Sequence, residues 1–450
     1  MGNVRVHPIL KEIAELFSAA GKKVYLVGGA VRDILRSCEP EDWDLATNAT
    51  PETVSKLFRH VVPTGIKHGT VTVFYKGHML ETTTFRTETG YSDGRRPDEI
   101  RYAATIEEDL SRRDFTMNAI AVELPSGQLF DPFDGQGDIE RKLIRCVGAP
   151  LERFGEDGLR PLRAARFAAQ LGYQLDHAAE IAIPMALYKT ALVAPERVRD
   201  ELEKMLRSPY PSIGFLVMEK TGLLSLLLPE LARCRGVEQK GSHIFDVLDH
   251  SLKACDAVPL DRTIIRLAAL LHDLGKLQTL AVDVKGKRSF YGYEELSARL
   301  AEEICQRFRY PNATTGFVVH LIRNHMFHYE DSWTDADVRR FVVRIGEENL
   351  ADAYTLRRAD MYATSGLAVP SDALDKLANR VREVLARTKV LTIKDLAVNG
   401  RDLSQAGIAA SPRMGIILKE LLEMVLIDPE MNEKTKLIEL ALNLEKNLQG

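Results

Sequence analysis

The chain is expected to fold as an α+β protein: a small α/β head followed by a long, wholly helical remainder. Three observations predict this. Short strand-like segments alternate with helical ones from residue 24 to about residue 147. From Glu152 onward the apolar spacing is almost entirely helical. Between the two lies a Pro/Gly-rich stretch, PSGQLFDPFDGQGD.

Residues 8–20 (PILKEIAELFSAA) read as an amphipathic helix ending at Gly21. VYLVGG (24–29) is a buried strand meeting two glycines, and AVRDILRS then has helical spacing. DWDLAT (42–47) is a short strand, and Pro51 suits the first turn of the next helix. TVTVFYKGHMLETTTF (70–85) alternates like a hairpin turning at Lys76-Gly77. Polar TETGYSDGRRPDE (87–99) reads as a mobile loop. In the helical remainder, breaks are expected near Ser208–Pro211, Gly236–Gly241 and Val369–Ser371, with no internal repeat and no low-complexity segment.

At 450 residues, the chain has room for roughly two to four domains. Hydrophobic content of 45% and charged content of 28% are those of a soluble globular protein. No apolar run is long enough to span a bilayer, so no membrane partner is expected. MGNVRVHPIL lacks the apolar core of a signal peptide. The five cysteines are scattered, without CxxC pairs, which points away from zinc fingers and disulfides and toward a cytoplasmic location. A net charge of −4 does not announce a nucleic-acid binder, although Arg153, Arg160, Arg163 and Arg166 cluster locally.

Asp42 and Asp44 stand at i and i+2 in a strand-like segment, so alternation puts both carboxylates on one face. An open carboxylate pair suits magnesium, which keeps water and phosphate oxygens among its ligands. Glu81, in strand-like ETTTFR, is a candidate third acid. An isolated Asp-x-Asp is usually a chance surface pair. Gly28-Gly29, between a strand and a helix, changes that judgement, because such a turn lets backbone N–H groups approach phosphates. Arg32, early in that helix, can neutralise a triphosphate oxygen.

LVGGAVRD (26–33), DWDLAT and RRDFTMNA (112–119), in that order, resemble the class II tRNA nucleotidyltransferase and bacterial poly(A) polymerase family. The resemblance implies a polymerase β-like nucleotidyltransferase head with a small mixed sheet, and an elongated all-α neck, body and tail. It also implies that Gly29, Arg32 and Arg113 contact the nucleotide while Asp42 and Asp44 hold Mg2+.

EDGLRPLRAARFAA (156–169) reads as a helix with Asp157 and Arg160 on one face at i, i+3. A carboxylate only accepts hydrogen bonds and a guanidinium only donates them. That pair matches the amino donor and ring-nitrogen acceptor of cytosine or adenine and mismatches uracil and guanine. The segment is similar to the family's nucleotide-selecting E-D-x-x-R motif, with Arg163 and Arg166 as further nucleotide contacts. Pro161 departs from the helical pattern, so the helix either starts near Asp157 or kinks there. APERVRDELEKML (194–206) resembles the family's last head–neck motif and is expected to be a packing helix.

His250, His272-Asp273 and Asp360 resemble the H…HD…D signature of HD-domain phosphohydrolases, which implies a second divalent-metal site. Tyr293 stands where a second-metal histidine is expected, and His325 and His328 are candidate helpers. A vestigial or single-metal site is therefore expected. LAVNGRDL (396–403) and ILKELLEMVL (417–426) resemble the family's tail, which holds the tRNA elbow.

The expected domains are a head (1–147), a neck (148–210), a body (211–368) and a tail (369–450). The expected reaction is Mg2+-dependent addition of C and A from CTP and ATP to the tRNA 3′ end, with release of pyrophosphate. The alternatives are CC-only or A-only addition, poly(A) synthesis, or an HD phosphohydrolase or RNA-binding protein with a decayed head.

Overall fold

The computed structural model describes residues 4–89, 99–239, 243–286, 288–366, 372–387 and 392–447. Its contacts divide the chain into two units, one of Met1–Arg233 with Arg307–Tyr310 and one of Cys234–Gln306 with Pro311–Gly450.

In the first unit, α1 (Pro8–Ala19) starts on a proline, where no N–H is needed, and buries Leu10, Ile13, Ala14 and Phe17 at helical spacing. Strand β1 (Val24–Val27) is buried throughout and runs through Gly28 into α2 (Gly29–Leu35). Next come β2 (Trp43–Thr47) and α3 (Pro51–Leu57), the latter capped by the Thr50 hydroxyl accepting from the Thr53 N–H. Strands β3 (Val61–Gly65), β4 (Thr70–Tyr75) and β5 (His78–Thr84) follow. Lys76 and Gly77 both have positive φ (45° and 84°), as a two-residue hairpin turn between β4 and β5 requires.

The segment expected as a loop begins and ends in a two-stranded ribbon, β6 (Arg86–Thr89) with β7 (Glu99–Tyr102). Residues 90–98 lie outside the described residues. The unit continues through α4 (Ile106–Ser111), β8 (Ala121–Leu124), β9 (Leu129–Phe130) and α5 (Gly135–Glu140). Seven strands form one mixed sheet in the order β3-β4-β5-β2-β1-β8-β9, with β2 and β5 parallel and the other neighbours antiparallel. Tyr25, Val27, Ala46 and Ala121 pack with Phe85, Ile106 and Leu110 in one core.

Five helices complete this unit up to residue 220: α6 (Pro150–Glu156), α7 (Arg160–Leu171), α8 (His177–Thr190), α9 (Pro195–Leu206) and α10 (Pro211–Lys220). Helix α7 packs against α9 and α10, and α6 against α8. One expectation is corrected here. Asp157 and Arg160 do not share a helical face, because α6 ends before Asp157, which is extended (φ −134°, ψ 111°), and α7 begins at Arg160. The break has two causes. Pro161 falls in the first turn of α7, the position proline tolerates. Gly158 is pressed against the backbone of α8, where an added Cβ would sit 2.4 Å from the Lys189 carbonyl oxygen.

Among its described residues, the second unit has helices and only the short strands Leu280–Val282 and Arg288–Phe290. Helices Val247–Ala257, Thr263–Leu271 and Leu350–Ser365 pack on one another. Near the C-terminus, Val398, Leu403, Leu421, Val425, Leu426 and Leu437 form a separate core. No helix among the described residues is long and apolar enough to cross a membrane.

Candidate active site

The sheet register builds the acidic end of a cleft of about 650 Å³. Asp44 on β2 lies opposite Val27 of β1 on one side and opposite Glu81 of β5 on the other. Asp42 precedes the strand and joins them in the cleft wall. Burial first, then the like charge of Glu81, pushes the Asp44 carboxyl up to about 6; Arg113 opposes the rise and Asp42 adds to it.

Gly28 closes β1 at φ 73°, ψ −139°. A Cβ there would sit 3.2 Å from both Asp44 Oδ2 and Arg113 Nη1, so only glycine leaves the cleft floor open. Arg113 Nη1 donates to the Asn118 carbonyl oxygen and its Nη2 pairs with buried Asp109, while its buried Nε–H has no partner among the described residues. Arg32 is held from two sides, by Asp33 (2.9 Å) and by the Asn118 side-chain oxygen (3.1 Å).

The opposite wall comes from α7 and the segment before it. Asp157 forms a two-pronged pair with Arg197 of α9, at 2.9 and 3.2 Å, and not with Arg160. Arg160 donates to Glu156 and to the Arg112 carbonyl oxygen. Arg163 pairs with Asp114 at 2.7 Å, and Arg166 with buried Glu201 at 2.5 Å. Burial alone would raise the Asp114 carboxyl, but the guanidiniums of Arg163 and Arg160 outweigh it and hold it at about 2. Three guanidiniums gather on the Phe167 ring: Arg166 at 3.8 Å from its centroid, and Arg32 and Arg163 at 5.5 Å.

All eleven residues singled out from the sequence as catalytic or nucleotide-binding line this one cleft: Gly28, Gly29, Arg32, Asp42, Asp44, Glu81, Arg113, Asp157, Arg160, Arg163 and Arg166. Sequence reasoning passed over Asp114, Asn118 and Arg197, which also line it. The first two lie inside RRDFTMNA and Arg197 inside APERVRDEL, so motif membership was the available signal. The lining carries nine cations (Arg32, Arg86, Arg112, Arg113, Arg160, Arg163, Arg166, Arg197, Lys204) against five carboxylates (Asp42, Asp44, Glu81, Asp114, Asp157). The excess is positive in a chain whose net charge is −4. Such a cleft attracts a polyphosphate and places carboxylates at one end of it.

Comparison with known proteins agrees with this geometry. The poly A polymerase head domain model matches residues 24–145, the polymerase A RNA and SrmB-binding site model residues 172–234, and the tRNA nucleotidyltransferase domain 2 model residues 293–441. The CCA-adding enzyme of Levilactobacillus brevis is 34% identical over 434 residues, 96% of this chain and 95% of that one. The chain belongs to the CCA-adding enzyme family of tRNA nucleotidyltransferases.

The family member of Lactobacillus johnsonii is 47% identical over 216 residues, so in that stronger match the chain spans about half (53%) of the relative's length. A solved member, the Bacillus stearothermophilus CCA-adding enzyme in complex with CTP, superposes with a TM-score of 0.74 at 28% identity, covering 99% of both chains.

A second cluster lies in the other unit. His250 Nε2 is 3.1 Å from Asp360 Oδ1, 3.2 Å from His272 Nε2 and 3.4 Å from Asp273 Oδ2, all buried. His272 Nδ1 donates to the Ala269 carbonyl oxygen at 2.7 Å, so its Nε2 faces the cluster. Burial opposes charge on His272, but the carboxylates of Asp273 and Asp360 hold its pKa above that of an ordinary imidazole. Lys276 and Arg357 already pair with Asp273 and Asp360, at 2.6 and 2.5 Å. Tyr293 Oη is 3.1 Å from His325 Nε2, and His325, buried and next to His272, is lowered to about 4. His328 is exposed.

Proposed function

We propose that this chain adds C and A from CTP and ATP to the 3′ end of tRNA, using Mg2+ held by Asp42 and Asp44 with Glu81 beside them. The observation that carries the reading is the cleft itself: one end presents mutually repelling carboxylates, and the rest presents excess guanidinium. The relative from Bacillus stearothermophilus bears CTP, which is the ligand this arrangement suits.

The donor set fits a divalent ion. Carboxylate oxygens are its preferred ligands, and Asp42, Asp44 and Glu81 bring three carboxylates to one end of the cleft, with Asp44 and Glu81 on neighbouring strands in register. The ion would lower the pKa of an attacking hydroxyl and neutralise charge developing at phosphorus. The remaining work falls to the protein. The Gly28 turn lets the triphosphate approach the backbone, and Arg113, with its open Nε–H, and Arg32 bind its oxygens. Asp157 and Arg160 read the base edge, with Asp157 held in place by Arg197. The RNA 3′-oxygen bonds to the α-phosphorus, the bond from that phosphorus to the β-phosphate breaks, pyrophosphate leaves, and the hydroxyl proton passes to water.

The four-part organisation, with a head (1–147), a neck (148–210), a body (211–368) and a tail (369–450) that grips the tRNA elbow, belongs to the same reading. So does a single divalent site at His250, His272, Asp273 and Asp360. His250, His272 and Asp273 each bring a ligand atom within 4.8 Å of the others, which fits one ion. Lys276 and Arg357 already neutralise Asp273 and Asp360, and Tyr293 takes up His325, which argues against a second.

The test is to offer tRNA ending at the discriminator base, in C or in CC, with single nucleotides and with mixtures, and to size the products. Stepwise C, C, A addition is expected, and Asp42→Ala or Asp44→Ala should abolish it while leaving tRNA binding nearly intact. Runs of A on any RNA, or near-normal addition by either variant at saturating Mg2+, would overturn the reading.

A further inference from the structure

We infer that Asp109 is a positioning residue for nucleotide addition: it fixes Arg113 directly and, through the Arg112 backbone, Arg160. This role rests on the reading proposed above, in which Arg113 takes the triphosphate and Arg160 the base edge. Asp109 lies on α4, behind the cleft wall and 1% exposed, so it meets no substrate. Three residues donate to its carboxylate. Arg112 reaches Oδ1 through Nε and Nη2, at 3.0 and 2.8 Å, and Arg113 Nη2 reaches Oδ2 at 3.3 Å. The Arg86 backbone N–H, at the start of β6, donates to Oδ1 at 3.3 Å.

The spacing makes this possible. Arg112 and Arg113 follow Asp109 at i+3 and i+4, where α4 ends, so both side chains fold back over the same turn and each takes its own oxygen. Burial alone would raise the Asp109 carboxyl, but the guanidiniums of Arg112 and Arg113 outweigh it and keep it below the usual carboxylate range. Both arginines line the cleft. Arg113 has no other ion pair among the described residues, and its bond to the Asn118 carbonyl oxygen is long, at 3.4 Å. Without Asp109, only that weak bond would aim its guanidinium. The Arg112 carbonyl oxygen in turn accepts from Arg160 Nη2 at 3.0 Å, so a shift of Arg112 reaches the base-reading wall. A buried ion pair contributes little net stability, because desolvation offsets attraction. Direction is what this one supplies, and displacing a positioned group by about 1 Å costs on the order of a hundredfold in rate.

Equilibrium dialysis of CTP against the full chain with Mg2+ and no tRNA, together with four-nucleotide competition on tRNA, tests this. Asp109→Asn should raise the CTP dissociation constant about tenfold or more and should admit UTP or GTP more readily than wild type. Lost stability alone would not do both, and Thr105→Ala is the control. Thr105 caps the same helix, its hydroxyl accepting from the Glu108 N–H, and pairs with neither arginine. That variant should melt earlier yet keep wild-type affinity and choice. Should Asp109→Asn fail to melt cooperatively, Asp109→Glu, which keeps the charge one methylene farther out, is judged by the same two readouts. A folded variant with wild-type CTP affinity, or with unchanged choice among the four nucleotides, would overturn the inference and leave the proposed reaction standing. So would Thr105→Ala with the same losses. A wild type that binds no CTP would overturn both.

Discussion

Replacing Asp44 with asparagine should stabilise the head while abolishing nucleotide addition. In the folded protein the Asp44 carboxyl is pushed from 3.8 to about 6, by burial first and by Glu81 next, so ionising it works against the fold. An acid whose folded pKa lies above its unfolded one costs nothing below the unfolded value. The cost grows as pH rises between the two values and stays constant above the folded one. For Asp44 the window runs from about pH 4 to about pH 6, and the gap of roughly two units amounts to at most about 3 kcal/mol at pH 8. Asparagine keeps the shape and carries no charge, so in chelator at pH 8 the urea midpoint of Asp44→Asn should exceed that of wild type, with the two converging near pH 4. Trp43, next to Asp44 on β2, reports head unfolding in a Trp333→Phe background, since these are the chain's two tryptophans. Added Mg2+ should stabilise wild type and leave the variant unmoved. An Asp44→Asn protein less stable than wild type at pH 8, or shifted equally at both pH values, would refute the reasoning.

Asp157→Ala and Arg160→Ala should admit UTP or GTP more than they slow addition, and Arg197→Ala, which frees Asp157, should do so more weakly; four-nucleotide competition decides, and unchanged preference would leave these as structural ion pairs. Gly28→Ala should cost about 1–3 kcal/mol in backbone strain, because φ 73°, ψ −139° is a conformation essentially confined to glycine, and should raise the nucleotide KM, because the new methyl meets Asp44 and Arg113; unchanged melting and KM would contradict this. His272→Ala combined with Asp273→Ala should leave addition within about tenfold of wild type, roughly 1.4 kcal/mol in the barrier. Melting with and without chelator separates loss of an ion from loss of activity. A double variant that melts normally yet loses addition by several orders of magnitude would make the second cluster part of the nucleotide-adding machinery.

What the sequence by itself determined is whatever local stereochemistry decides. Asp44 on β2, the Gly28 turn, the Lys76-Gly77 hairpin and the proline-led starts of α1 and α3 follow from backbone geometry within a few residues and are found where expected, whereas Asp42, expected within the strand, stands just before it. The motifs also sufficed to identify the family, because they are long and ordered. Tertiary structure decided the partners. Asp157 looked like an i, i+3 companion of Arg160, yet Gly158 pressed against α8 breaks that helix, and Asp157 turns to Arg197, forty residues away. Arg166 likewise finds Glu201, and His250 finds Asp360, across separations no periodicity encodes. The basic cleft was hidden in a net charge of −4, because net charge sums over the whole surface while a substrate meets only the side chains one cleft brings together. Ion pairs depend on distance in space, and only packing brings residues far apart in the chain within that distance.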